Sequence, residues 1–137
     1  MKAEQVQSPG QLILLSPWLD ITLANPAILE IETKDPILNK ERLRRAGLIY
    51  ARNARLDDHL LSPINGPLDG MGTISVFAGS DEIFVADTRR LQLLASLKEI
   101  KFNYYEYSGY SILADEDLHR FFQLFTRPSG WQKKGAG

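Results

Sequence analysis

Two adjacent carboxylates, Asp81 and Glu82, follow an apolar run at residues 74–78 and Gly79. An acid at the end of a strand can orient an imidazole and stabilise its charged form while that imidazole takes a proton from a hydroxyl nucleophile. The same side chains can instead cap or solvate the next turn and take no part in chemistry. Asp87, further on, has the spacing of a helix N-cap. Partners for the acids are scarcer. Ser111 lies in Gly109-Tyr110-Ser111-Ile112-Leu113, which is half of a Gly-x-Ser-x-Gly elbow with Leu113 in place of the second glycine, and reads as a plain turn. His119 falls on the side of a helical pattern away from Leu118, Phe122 and Phe125, as a solvent-facing residue does. His59, in Asp57-Asp58-His59-Leu60, has two acids before it, but no nucleophile is paired with it.

The elements that must position these residues follow from hydrophobic periodicity. Residues 11–16 are a continuous apolar run closed by Pro17, the pattern of a strand buried on both faces of a parallel sheet. Residues 74–78 repeat it, and residues 101–107, richer in aromatics, suit a strand nearer an edge. A first helix opens at Asn39 as N-cap, with Leu43, Ala46, Gly47 and Tyr50 on its apolar face. A second follows Asp87, with Leu91, Leu94, Ala95 and the stem of Lys98 on one face. A third starts at Asp115-Glu116-Asp117 and carries Leu118, Phe121, Phe122 and Phe125. Strands alternating with helices give an α/β fold of about three mostly parallel strands with flanking helices. Three strands are few for that architecture and leave a raw strand edge. The expected organisation is one partial domain over residues 1–128 and a polar, flexible tail over 129–137.

Composition narrows the function classes. The 137 residues carry 16 basic and 17 acidic side chains, so no long-range field selects nucleic acid or an anionic membrane. The cations around the first helix, Lys40, Arg42, Arg44, Arg45, Arg52 and Arg55, read as a solvated face. With no cysteine there is no disulfide framework and no thiolate metal site, which fits a reducing, cytoplasmic setting. The longest apolar runs fall far short of a membrane span. No zinc, calcium, P-loop or dinucleotide pattern occurs, so neither a cofactor nor a metal is expected.

Several spaced motifs together resemble the esterase and lipase branch of the α/β-hydrolase fold related to hormone-sensitive lipase. They are Leu12 to Asp20 (Leu-Ile-Leu-Leu-Ser-Pro-Trp-Leu-Asp), Asn25-Pro26, Asp35-Pro36-Ile37-Leu38, Ser62-Pro63, and Phe77 to Asp87 around Gly79-Ser80-Asp81-Glu82-Ile83. The resemblance covers about residues 8 to 107 and fades beyond. It implies that Glu82 is the triad acid, with Asp81 as the alternative, and that this chain corresponds to the C-terminal part of the fold. It also implies that the nucleophile elbow and the His-Gly-Gly-Gly oxyanion motif lie upstream of these residues, and that the catalytic histidine belongs where Ile112 stands. A small ester is then a substrate only when another polypeptide complements the chain. The alternative is a non-catalytic homodimer formed through the exposed edge of the first strand, Leu12, Ile13, Leu14 and Leu15.

Overall fold

β2 (Thr73–Gly79) is buried from Ile74 to Gly79 because a strand pairs with it on each side. The computed structural model describes residues 6–114. It contains β1 (Gln11–Leu15), α1 (Ile28–Glu32), α2 (Lys40–Ala51), β2, α3 (Val85–Leu97) and β3 (Phe102–Tyr107) in that order. The strands form a parallel sheet in the order β1-β2-β3, with Leu14 opposite Val76 and Val76 opposite Tyr104. The expected partial α/β sheet is therefore present, and the predicted third helix and the tail lie outside the described residues.

Side chains alternate across the sheet with the period of two that pleating imposes. Ile74, Val76 and Tyr104 point to the face covered by Leu91 and Ala95 of α3, and Leu12 and Leu14 pack against the same cluster. Towards the end of β2, Ala78 joins Ile83, Phe84, Val85 and Ala86 against Leu23, Ile28 and Ile31, so α1 and its flanks cover the turn that follows β2. On the opposite face Phe77 stacks on Tyr105 with ring centroids 4.7 Å apart and is closed over by Ile112.

Three expectations are corrected. β1 is not buried on both faces. It is an edge strand whose exposure alternates, and Ile13 and Leu15 keep 54% and 44% of their surface because no described element covers that side of it. In α2 the Asn39 cap is as expected, its side chain accepting from the Arg42 N–H at 3.1 Å. Its inward row, however, is the half-buried Leu43 with the buried Gly47 and Ala51, while Ala46 and Tyr50 face outward. The reason is Gly47, where a Cβ would lie 2.7 Å from Ile21 Cγ1, so the glycine is the point of closest approach. Finally, Asp87 is not a helix cap. α3 starts at Val85, because the apolar run Ile83 to Ala86 is drawn under the sheet and carries the helix start with it. Asp87 falls in the first turn, buried, and accepts from Asn25 Nδ2 at 3.1 Å.

Candidate active site

The three strands are parallel, so their carboxyl ends lie together, which is where open α/β sheets place their sites. Each strand contributes one group there: Ser16 after β1, Glu82 after β2 and the 108–112 turn after β3. Ser16 has φ of 46°, in the left-handed region that a non-glycine residue seldom adopts, and its N–H donates to Phe77 O at 2.8 Å. That bend turns its hydroxyl towards Glu82, to which it donates at 2.7 Å (Oε1) and 2.9 Å (Oε2). Glu82 Oε1 also accepts from the Gly79 N–H at 2.9 Å, and Oε2 from the Ile112 N–H at 2.8 Å. The carboxylate is fully buried and joins all three strand ends.

The 108–112 turn is held on the other side by Ser80 and Asp81. Ser80 N–H donates to Tyr107 O at 2.9 Å and Asp81 N–H to Tyr110 O at 3.1 Å, while Gly109 N–H donates to Ser80 Oγ at 2.8 Å. This contact explains Gly79, since a Cβ there would sit 2.0 Å from Tyr110 O. The Asp81 carboxylate, half-buried, accepts only a local bond from Ser80 Oγ at 3.1 Å among those described. Of the two candidate acids, Glu82 occupies the convergence of the strand ends and Asp81 flanks it.

Electrostatics at Glu82 are set first by burial, which pushes its carboxyl up from the ordinary glutamate range. The Ser16 hydroxyl and the Gly79 and Ile112 N–H groups oppose that shift, and the charge of Asp35 adds to it. A proton on Glu82 is accommodated in this geometry, because a protonated oxygen can donate to Ser16 Oγ while both backbone N–H bonds are kept. Burial likewise pushes Asp87 up, against the Asn25 amide.

A second layer holds the first. Trp18 stacks on Phe84 at 5.7 Å, and its indole N–H donates to Asp20 O at 2.8 Å. Asp20 Oδ1 accepts from Thr22 N–H at 2.9 Å and Thr22 Oγ1 at 2.6 Å, and Ser62 Oγ, fully buried, takes the Ile21 N–H at 3.1 Å. Asp35 Oδ1 accepts from Ile37 N–H (2.9 Å) and Leu38 N–H (2.8 Å), while its Oδ2 accepts from Ile83 N–H at 2.8 Å. Ser16 and Asp35 are the residues bonded at this turn that residue type alone does not single out. The signals were a lone serine closing an apolar run and an Asp-Pro pair, whose carboxylate characteristically bonds the backbone two residues on.

Ser111 is buried one residue before Ile112, and Ile112 fills the position the resemblance assigns to the histidine, with its side chain against Phe77. His59 is exposed beside Asp58, 3.6 Å away, and His119 lies outside the described residues. The expected surface reading of the basic residues fits the pairs Arg45–Glu41 (2.7 Å) and Arg55–Asp57 (2.8 Å), both exposed. Among the described residues, no group of three or more His, Asp or Glu side chains could hold a metal ion, and no helix is long and apolar enough to cross a membrane.

Comparison with known proteins agrees with the fold. A family profile described as alpha/beta hydrolase fold matches residues 1–114. An esterase of Acinetobacter venetianus is 31% identical over 111 residues, which is 80% of this chain and 36% of that protein. An acetyl-hydrolase of Streptomyces hygroscopicus is 26% identical over 87 residues, 64% of this chain and 29% of the relative. The chain thus spans about a third of the length of these curated relatives. Among solved structures, one of a putative esterase from Staphylococcus aureus superposes with a TM-score of 0.76 at 23% identity, covering 91% of this chain and 44% of that one. Another, of an esterase from the bacterial hormone-sensitive lipase family, gives 0.74 at 24% identity, covering 89% and 39%. At these identities the two structures show the fold.

Proposed function

Since this chain belongs to the α/β-hydrolase-fold family, we propose that it is the acid-bearing, C-terminal part of a carboxylic ester hydrolase of the hormone-sensitive-lipase-like branch. Glu82 is its triad acid. The observation that carries this reading is the convergence of all three strand ends on one buried carboxylate, with Ile112, at the histidine position, bonded to it through its own N–H. A triad acid must be fixed in this way so that it can hold the imidazole in one tautomer and stabilise its positive charge. The esterase and acetyl-hydrolase relatives support an acyl ester as the substrate class.

These 137 residues alone do not complete the machinery. They contain no Gly-x-Ser-x-Gly elbow and no His-Gly-Gly-Gly run, and an isoleucine stands where the base is needed. Loss of one triad member already removes several orders of magnitude in rate. Incubation of the purified chain with a short-chain p-nitrophenyl ester, beside a Glu82→Ala variant, tests this. The expected result is no turnover above background in either. Turnover lost in the variant would mean that a nucleophile and base exist within the chain.

A second reading, a homodimeric assembly module, is favoured by one observation: β1 is an edge strand with Ile13 and Leu15 largely uncovered. Such an edge recruits another strand, and a two-fold dimer with β1 against β1 satisfies it. Sedimentation velocity at rising concentration decides, since a strictly monomeric chain removes the reading.

A further inference from the structure

Asp35 lies far from Glu82 in sequence, between α1 and α2, yet its carboxylate reaches the peptide that leaves Glu82. Its Oδ2 accepts from the Ile83 N–H at 2.8 Å, and its Oδ1 accepts from both Ile37 and Leu38 N–H at 2.9 and 2.8 Å. The two oxygens thus have separate tasks, one closing the loop on itself and the other fastening it to the acid turn. Ile83 is fully buried, so its N–H has no access to solvent in place of Asp35. The N–H groups of Glu82 and Val85 in the same turn are committed elsewhere, to Gly79 O and Glu82 O.

We propose that Asp35 is a positioning residue for the acid: by holding the Glu82–Ile83 peptide it sets the direction from which the Glu82 carboxylate meets the base position at residue 112. The inference rests on the reading of Glu82 as triad acid. Glu82 must reach back to the Gly79 N–H and across to the Ile112 N–H at once, and this double reach is kept only while its backbone is held on the far side. Asp35 touches no reacting atom. It acts through Glu82, and its negative charge lies close enough to favour the protonated acid.

The test uses the 137-residue chain carrying Ile112→His, in which the introduced imidazole is expected to bond Glu82, and reads the low-field Nδ1–H proton resonance together with amide hydrogen exchange. Asp35→Ala in this background is expected to abolish that resonance. It should also speed exchange at the Ile83 and Gly79 amides by at least about tenfold while Leu14 and Val76 in the sheet stay protected. Asp35→Asn retains one acceptor oxygen for the 37–38 turn, guards against simple unfolding, and should give the same loss. If the resonance persists in both variants and only the Ile37 and Leu38 amides exchange faster, Asp35 is a loop staple and the proposal is overturned. If Ile112→His itself gives no resonance that Glu82→Gln removes, the reading of Glu82 falls, and the role of Asp35 falls with it.

Discussion

Glu82 is a carboxylate in a place that costs free energy to charge, and its pH behaviour follows from that. Burial raises its folded-state value above that of the unfolded chain. Between those two values the folded chain binds more protons than the unfolded one, so its stability falls as pH rises. The contribution of Glu82 is fully present below the ordinary glutamate range and is lost as pH rises through the raised value. Asp87 has the same sign. Urea unfolding across this window is expected to show declining stability, and Glu82→Gln should flatten the slope, leaving the part due to Asp87. An unchanged slope in the variant would mean that Glu82 does not titrate there. At this scale the sequence showed the acid but not its surroundings. Asp81 and Glu82 are adjacent and chemically equivalent as text, and only the path of the backbone through Gly79 and Ile83 decides which one turns inward.

At the scale of elements, the close approach of the post-β2 and post-β3 turns is what builds the site. Gly79 makes it possible, since a Cβ there would meet Tyr110 O at 2.0 Å. Gly79→Ala must push the 108–112 turn away and is expected to destabilise the chain by about 1–3 kcal/mol, read by chemical denaturation. It should also weaken the Ile112 N–H bond to Glu82, so faster exchange at the Ile112 amide should accompany the lost stability. The strands and the Asn39 cap were legible because period-two burial and side-chain capping leave local signatures. The inward row of α2 was not, because it turns on the contact of Gly47 with Ile21, a residue from a distant loop. Asp87 has the spacing of a cap without being one for a related reason: tertiary burial of Ile83 to Ala86 moves the helix start, and local spacing carries no record of that.

Across the described residues, one face of the sheet is packed under α3 and the other is open beside β1, where Ile13 and Leu15 are exposed. The chain spans about a third of the length of its curated relatives, and its three described strand ends converge on Glu82. On the proposed reading the chain is one side of a catalytic pair, with Glu82 as its acid and isoleucine at the base position. The most direct measurement is an NMR pH titration of the imidazole introduced by Ile112→His, repeated with Glu82→Gln and with Asp81→Asn. A neighbouring carboxylate raises an imidazole's pKa. The expected value is raised, returns towards the ordinary histidine range with Glu82→Gln and stays nearly unchanged with Asp81→Asn. A value that follows Asp81 instead, or neither acid, would contradict the proposed reading.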